Sequence, residues 1–403
     1  SSSAASDVYK RQVLRRNRCG DKRPHGGGTH LSLRGGRLKA PILRETGVKT
    51  GWKPTMKKKR SMWEMMSLLA LCGILGAGAA LAGDGEAGDA AYNGDGIVLA
   101  VEFNTHASCA HVARNKGWYE AEGIHIRAFD SYVTGMALAA GLARGDIDAA
   151  YICLIPALNA YANGGVPLKV VAGTHKNGYG LVGHPTKMAS PHDLQKEGIQ
   201  IGCSRQGSPT DAILERVIEA YQLDRRRVMN NVRRMNPPAQ LLALKMGRLD
   251  GALLPEQYPG MATEAGFPIL LRSQDLWDRM QGSVLVASRK LIRESPEIVK
   301  RLVQVTEGST RWINAHPQEA SRIVADALNA TGNRMYPAEA VALVAQEAVS
   351  AKTVLDSLTH GIECSTAVDL KGVQESIDYM VQLGYISRRV RAEEVLDLRW
   401  LNP

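Results

Sequence analysis

The sequence lacks any closely spaced pair of cysteines. It contains six cysteines in 403 residues, and four of them follow Ala82, at Cys109, Cys153, Cys203 and Cys364. A dense disulfide framework is therefore excluded, and the roughly 320 residues beyond Ala82 can build large cores without one.

Long apolar runs are also missing from this part of the chain. Beyond Ala82 no stretch approaches the roughly 18 uninterrupted apolar residues that a membrane-spanning helix needs. We therefore expect the body of the protein to be soluble.

An excess of positive charge is absent from the same region. The whole chain has 50 basic and 40 acidic residues, a formal charge of +10. Residues 1–82 contain 17 of the basic residues and 4 of the acidic ones. The remainder has 50 minus 17, or 33, basic residues and 40 minus 4, or 36, acidic ones, a net charge of −3. A nucleic-acid partner is not expected, because phosphate backbones are bound by clustered positive charge.

Methionine does not occur before Met56, and residues 1–55 are predicted to be a non-native or disordered leader. From Met56 the chain has a basic start, an apolar stretch over residues 65–80 and the small residues Ala80 and Ala82. This is the pattern of a signal peptide over residues 56–82, followed by a flexible leader over residues 83–95. The apolar stretch is short for a bilayer, so a periplasmic protein is predicted, with an uncleaved membrane anchor as the alternative.

The remaining chain alternates strand and helix patterns. GIVLAVEFN, IHIRAFD, DIDAAYICLIP and VPLKVVAGTH favour strands, with helices predicted between them. The pattern restarts at GIQIGCS, and RVMNNVRRM is predicted as a further strand. Such alternation predicts an α/β fold, with mostly parallel sheets covered by helices on both faces. We predict two lobes: residues 96–187 with 283–403, and residues 188–282.

One phrase occurs in both predicted lobes. LARGDIDAA and LKMGRLDGA align when Gly145 is matched with Gly247 and Asp148 with Asp250. A glycine can end a helix in the left-handed conformation, and an apolar strand follows each time. The phrase is interpreted as structural, and ligand contacts are expected after the strands that it starts.

The chain resembles the substrate-binding proteins of ABC importers, in the nitrate/sulfonate/taurine and thiamine-precursor group. The matching stretches occur in family order over nearly all of Ile97 to Pro317, and include VARNKGWYEAEGIHIRAF, ALAAGLARGDIDAAYI, ALKMGRLDGALLPEQYP and VLVASRKLIRESPEIV. The resemblance implies a two-lobed periplasmic binding protein fold, a small ligand held between the lobes, hinge closure, and delivery to a membrane permease with its ATPase. It implies no enzymatic activity and no cofactor.

Candidate ligand-binding residues lie at predicted strand ends and helix starts. In the first lobe they are Asn104, Thr105, His106, Ser108, Tyr132, Thr134, Ile152 and Cys153. In the second they are Arg205, Gly207, Ser208, Thr210, Glu256 and Tyr258. Helix starts favour an anion such as sulfonate, nitrate or carboxylate, although each Ser or Thr could equally be an ordinary N-cap.

The charge of the ligand is left open. Glu256 would favour an amine, such as the amino group of a pyrimidine, or it could be a contact between the lobes. Tyr132, Tyr179 and Tyr258 could cover an aromatic ring or simply pack.

A metal is a further alternative. Cys109, Cys153 and Cys203 fall near the predicted cleft, with His106, His111 and His175 also nearby. Cysteine and histidine bind soft metals, but buried cysteines usually only pack.

These observations predict a monomeric solute-binding protein that captures a small polar or anionic solute. Its lobes would move about residues 183–191 and 279–283. The alternatives are a binder of a thiamine pyrimidine precursor, a related metal-dependent enzyme and an exported ligand sensor.

Overall fold

The structure is a computed structural model that describes residues 96–335 and 348–401. The predicted leader (1–55), signal peptide (56–82) and flexible leader (83–95) lie outside the described residues. Within the described ranges, no helix has both the length and the hydropathy to cross a membrane.

Strands and helices alternate along most of the described chain. The strands are β1 (Ile97–Glu102), β2 (Ile126–Tyr132), β3 (Ala149–Cys153), β4 (Leu168–Asn177), β5 (Tyr179–Gly183), β6 (Ile201–Cys203), β7 (Val232–Arg234), β8 (Gly251–Pro255), β9 (Ile269–Arg272), β10 (Gln281–Ser288) and β11 (Ile362–Cys364). The helices are α1 (Ser108–Asn115), α2 (Trp118–Ala121), α3 (Gly135–Arg144), α4 (Leu154–Ala162), α5 (Pro209–Ala220), α6 (Arg225–Asn231), α7 (Pro237–Lys245), α8 (Tyr258–Glu264), α9 (Arg289–Glu294), α10 (Pro296–Ala315), α11 (Pro317–Met335), α12 (Ala351–Asp356), α13 (Leu370–Gln382) and α14 (Ala392–Val395). Short helical turns cover Thr105–Ala107, Pro191–Gln195, Ser273–Asp275 and Ser357–Gly361.

The strands form two sheets, which confirms the predicted α/β class. The first has the order β11-β4-β10-β3-β1-β2 and the second β7-β6-β8-β5-β9. Each sheet is mixed rather than mostly parallel. β1 is parallel to β2 and β3, and β6 to β7 and β8, whereas β10 and β5 run antiparallel to both of their neighbours. The antiparallel strands β5 and β10 lie beside the segments that join the sheets.

Both faces of the first sheet are covered, as predicted. Along β1, Val98 and Ala100 belong to one apolar cluster, which also holds Leu138 of α3. The alternate residues Ile97, Leu99 and Val101 belong to a second cluster, which includes side chains of α1 and α10. This alternation follows from the two-residue period of a strand.

The chain passes between the sheets at Gly178 and again between β9 and β10. β4 belongs to the first sheet and β5 to the second, so the first crossing precedes the predicted hinge at residues 183–191. Asn177 and Gly178 both have positive φ angles, 62° and 104°, which separate β4 from β5. Residues 179–183 were predicted to belong to lobe 1, but they form a strand of the second sheet. The chain was predicted to return to lobe 1 at residue 283, and β10 of the first sheet begins two residues before that position.

The repeated phrase forms the same structure in both sheets. Gly145 and Gly247 take left-handed φ angles of 79° and 67° after their helices. Asp148 then accepts a 2.8 Å hydrogen bond from the backbone N–H of Val98, and Asp250 accepts one of the same length from Gln200. Each aspartate thus ties the start of its own strand to a neighbouring segment, which confirms the structural interpretation.

Asp148→Ala is expected to lower the free energy of unfolding by about 1–2 kcal/mol, because the Val98 N–H loses a charged acceptor. Asp146→Ala provides a matched control two residues away, since the Asp146 side chain is 61% exposed and pairs only with Arg144 at the surface. Urea denaturation of both variants checks this, and equal losses would contradict the assigned role.

His111 makes stability depend on pH. It is buried in α1 beside Phe129, and its Nε2 has no hydrogen-bond partner among the described residues. Burial, and then the nearby positive charge of Arg114, lowers the pKa of His111 to about 4. Between this value and the unfolded pKa of roughly 6.5, the unfolded chain binds more protons, so the contribution of His111 to stability is lost as pH falls.

His111→Phe should therefore reduce the loss of unfolding free energy between pH 7 and pH 5 by about 2 kcal/mol. Denaturation curves at the two pH values measure this difference. Identical pH dependence in the variant and the parent would show that His111 is protonated as readily in the native state as in the unfolded chain.

Candidate functional site

A cavity of about 340 Å³ lies where strands of both sheets end. Glu102 ends β1, Cys153 ends β3 and Pro255 ends β8, while Ser204 and Met235 directly follow β6 and β7. Ligands of α/β proteins gather beyond the carboxyl ends of strands, so this cavity is the candidate site.

Three helices begin at the cavity wall. Their N-caps, Thr134 of α3, Ser208 of α5 and Asn236 of α7, all line it. Their side chains accept hydrogen bonds of 3.2, 3.3 and 2.9 Å from the backbone N–H groups of Ala137, Asp211 and Ala239 respectively. The caps are therefore structural, and the positive ends of three helix dipoles are directed at the same space, which favours an anion.

Two arginines add positive charge. Arg205 is exposed and lines the cavity. Arg234 also lines it, with its Nη1 atom 2.5 Å from the carboxylate of Asp211 and 2.7 Å from the carbonyl of Ser204. These two contacts hold the Arg234 guanidinium at the wall of the cavity.

Asp211 also contacts the C-terminal part of the chain. Its carboxylate is fully buried and accepts hydrogen bonds from the N–H of Gly207, at 3.1 Å, and from the hydroxyl of Tyr385. The carbonyl of Tyr385 in turn accepts a 2.7 Å hydrogen bond from Asn163, which follows α4 of the first lobe. Asp211 thus joins the cavity wall to a segment that is also bound to the other lobe.

The floor of the cavity is a buried polar cluster around Cys153. The Cys153 Sγ atom lies 3.1 Å from Glu102 Oε2, 3.3 Å from His106 Nδ1 and 3.0 Å from the hydroxyl of Tyr179. Glu102 Oε1 accepts a 2.7 Å hydrogen bond from the Cys153 N–H. Glu102, Cys153 and Tyr179 line the cavity, whereas His106 lies behind them.

Burial dominates the electrostatics of this cluster. It raises the pKa of Glu102, against the opposing hydrogen bonds from Cys153 and Asn104. It raises the pKa of the Cys153 thiol, an effect that the nearby Glu102 increases. Burial lowers the pKa of His106, and the neighbouring His175 lowers it further. All three shifts favour the neutral forms, because charge is poorly solvated there.

The structure brings six of the predicted residues together at the cavity: Asn104, Thr134, Cys153, Arg205, Ser208 and Thr210. Three others, Thr105, His106 and Ser108, are buried just behind the wall. Thr105 bonds the side chain of Ser357, and Ser108 bonds the carbonyl of Thr105, so both hold the turn in place.

The structure places the other five predicted residues elsewhere, outside the described lining of the cavity. Ile152 and Tyr258 are core residues, Gly207 faces Asn159 and Tyr385, and the Tyr132 ring lies beneath Gly141 of α3. Glu256 is fully buried, pairs with Arg272 and packs against Gly361. Burial raises the pKa of Glu256 to about 7 although Arg272 opposes this.

The three cysteines that suggested a metal are separated. Cys109 is buried in α1, and the Cys203 Sγ atom contacts the hydroxyl of Thr210 at 3.7 Å. Only Cys153 joins a group of ligand-type side chains, with Glu102 and His106.

Glu102, Arg234 and Asn236 line the cavity but were not predicted as site residues. Asn236 precedes two prolines, the pattern of an N-cap followed by proline at the first helical positions, and could have been recognised. Arg234 lies inside RVMNNVRRM, which was predicted as one long strand, so the sequence did not show where β7 ends.

Comparison with known proteins gives a family match. A family model described as the NMT1-like family matches residues 92–329, which is more than half of the chain. No curated protein matches the sequence significantly.

Solved structures share the fold. A ligand-binding component of an ABC-type import system from Staphylococcus aureus, with zinc bound, has 17% identity and a TM-score of 0.60, covering 75% of this chain and 97% of that one. The alkanesulfonate-binding protein SsuA from Xanthomonas axonopodis, bound to MOPS, has 15% identity and a TM-score of 0.60, covering 75% and 98%. The periplasmic nitrate-binding protein NrtA from Synechocystis has 13% identity and a TM-score of 0.61, covering 75% and 86%. These likenesses establish a periplasmic binding protein fold.

Proposed function

The chain belongs to the NMT1-like family, and from that premise we propose that it is the extracytoplasmic solute-binding component of an ABC importer. It would capture a small organic anion between its lobes and deliver it to a membrane permease with its ATPase, without chemical change. The observation that carries this proposal is the convergence of three helix N-termini and two arginines on one cavity between the sheets.

An organic anion fits the cavity better than nitrate alone. Its volume of about 340 Å³ is in the range of small-molecule pockets and far exceeds that of a single nitrate. Val133, Met136, Pro156, Met235 and Pro237 supply apolar lining beside the polar groups. A sulfonate or carboxylate on a short carbon chain would use both kinds of surface. The alkanesulfonate and nitrate binders among the structural neighbours are consistent with an anionic ligand.

A thermal-shift screen of the full chain tests the ligand class. Ethanesulfonate, taurine, nitrate and an aminopyrimidine would each be added at increasing concentration. A sulfonate at 100 times its Kd should stabilise the protein by roughly 2.7 kcal/mol. Stabilisation by the aminopyrimidine alone would overturn the anion assignment and favour the thiamine-precursor alternative.

Arg234→Gln should weaken binding of the stabilising sulfonate by about 10- to 100-fold, because hydrogen bonds to a charged group contribute about 1.5–3 kcal/mol. Arg293→Gln is a matched control, since the Arg293 side chain is 75% exposed and pairs only with Glu294. Isothermal titration calorimetry measures both affinities. Equal affinities in the two variants would remove Arg234 from the binding site.

Transport and sensing require different partners. Reconstitution with a permease and its ATPase in vesicles would show solute uptake that depends on this protein if it is an importer component. A protein that binds the solute but never supports uptake would be the exported sensor.

A further inference from the structure

The polar cluster at the floor of the cavity brings together three side chains of metal-ligand type, and the ligand atoms of Glu102, His106 and Cys153 all lie within 4.8 Å of one another. His106 Nε2 lies 2.9 Å from the carbonyl of Gly178, so this nitrogen carries the hydrogen and donates it. The other ring nitrogen, Nδ1, therefore presents a lone pair to Cys153 Sγ at 3.3 Å in the neutral ring.

The sulfur is surrounded by groups that already use its lone pairs. The hydroxyls of Tyr179 and Ser283 donate to Sγ at 3.0 and 3.4 Å. The thiol has a single hydrogen to give, and two acceptors compete for it: His106 Nδ1 and Glu102 Oε2. With Glu102 ionised, the thiol can donate its hydrogen to only one of these two acceptors. At the other contact, a lone pair of the sulfur then faces a lone pair of the acceptor. With Glu102 protonated, the sulfur, a weak acceptor, would accept from three hydroxyl groups.

A metal ion would satisfy all three side chains together, because it accepts a lone pair from every ligand at once. We propose that Glu102, His106 and Cys153 form a binding site for a soft divalent transition metal ion, with Zn²⁺ the best match. A thiolate, an imidazole and a carboxylate together suit Zn²⁺, and hard ions such as Mg²⁺ or Ca²⁺ prefer oxygen ligands alone.

The ligand atoms lie slightly closer together than they would around a bound ion. Zinc bonds of about 2.3 Å to sulfur and about 2.0–2.2 Å to nitrogen or oxygen place a tetrahedral S–N or S–O pair about 3.5–3.7 Å apart. The observed separations from Sγ are 3.3 Å to His106 Nδ1 and 3.1 Å to Glu102 Oε2. Small side-chain shifts would complete the geometry.

The surrounding hydrogen bonds orient these ligands. His106 donates its other nitrogen to the Gly178 carbonyl, the usual arrangement for a metal-bound histidine. Glu102 accepts from the Cys153 N–H at 2.7 Å and from Asn104 at 3.2 Å, which fixes its carboxylate plane. Within residues 96–335 and 348–401, this is the group in which three such ligands converge.

Three protein ligands leave a fourth position, and it opens to the cavity because Glu102 and Cys153 line its floor. The metal site shares the cavity of the proposed solute site but does not depend on it. A bound ion would add positive charge beneath a captured anion.

Zinc binding to the chelator-treated full chain would be measured by competition with a chromophoric chelator. Cys153→Ser should bind Zn²⁺ at least 100-fold more weakly than the parent. Cys203→Ser is the matched control and should bind like the parent, because Cys203 is also buried but does not belong to the group of Glu102, His106 and Cys153. Equal zinc affinity in the parent and Cys153→Ser would overturn the proposal.

A second measurement uses the parent protein alone, in case Cys153→Ser does not fold. Co²⁺ in place of Zn²⁺ should give the intense thiolate-to-cobalt charge-transfer absorption, and Zn²⁺ should protect Cys153 from alkylation as read by peptide mass spectrometry. Absence of the absorption band, or alkylation of Cys153 that Zn²⁺ does not change, would contradict the proposed metal site. A sulfonate that still stabilises the metal-free protein would then leave the proposed function intact.

Discussion

Gly282→Ala is expected to lower the free energy of unfolding by about 3 kcal/mol, the upper end of overpacking effects. A Cβ atom at Gly282 would lie 2.2 Å from Cε1 of His175 and 2.5 Å from the carbonyl oxygen of Asn177. His175 is buried, and the Asn177 carbonyl is part of the backbone at the crossing between the sheets. Moving either group away would therefore cost free energy. Denaturation by urea, with its slope compared with that of the parent, measures the loss.

Gly308→Ala is the matched control, and it should raise the free energy of unfolding rather than lower it. Gly308 lies inside α10, and apart from the neighbouring backbone of that helix a Cβ atom there would meet no described atom within 4 Å. Alanine restricts the unfolded chain more than glycine does, so this variant should gain about 0.5–1 kcal/mol. If both substitutions destabilise the protein equally, the close packing at Gly282 is not the cause of its effect.

Asp211→Ala is expected to cost about 3 kcal/mol and to weaken anion binding as well. The Asp211 carboxylate is completely buried and contacts Arg234, the Gly207 N–H and the Tyr385 hydroxyl. Removing one partner of a buried ion pair usually costs about 3–5 kcal/mol, and the lower end applies here because the Arg234 side chain is 35% exposed. Arg234 would also lose the contact that holds it at the cavity wall.

Tyr385→Phe separates the two effects of Asp211. It removes the hydroxyl that bonds Asp211 without touching Arg234. We expect a stability loss of about 1–2 kcal/mol, as for other buried hydrogen bonds to charged groups, with little change in sulfonate affinity. Calorimetric titration beside urea denaturation gives both readouts. An Asp211→Ala variant with the parent's stability would refute the buried pairing.

Local chemistry made much of the fold predictable. The phrase around Gly145 and Asp148 recurs around Gly247 and Asp250, and its glycine and aspartate have the same roles in both sheets. These roles depend on backbone conformation and on one nearby hydrogen bond, which is the kind of information that a short sequence carries.

Other features depended on tertiary contacts. The segment RVMNNVRRM was predicted as one strand, but it begins as α6 because Asp224 caps the N–H groups of Arg226 and Arg227. Arg225 is held there by the carboxylate of Glu215, which lies ten residues earlier. Only the three residues before Met235 form β7. The sequence therefore did not show where that strand ends, or that Arg234 lies at its end.

Part of the candidate site was also predictable, because some of its residues are recognisable from the local sequence. N-caps such as Thr134 and Ser208 are recognisable from sequence, and they do line the cavity. Glu256 was expected there because it follows β8, yet Arg272 of the adjacent part of the second sheet draws it into the interior. Whether a strand-end carboxylate faces solvent or a buried cation depends on a partner distant in sequence.

The bond between Tyr385 and Asp211 has a consequence for motion. Tyr385 is anchored to the first lobe through Asn163, so a rotation that separates the two sheets must first break its hydroxyl contact with the second. The C-terminal segment at Tyr385 is therefore a further connection between the lobes, besides the two chain crossings. The two lobes are thus joined in part by a tyrosine that lies outside the described lining of the cavity.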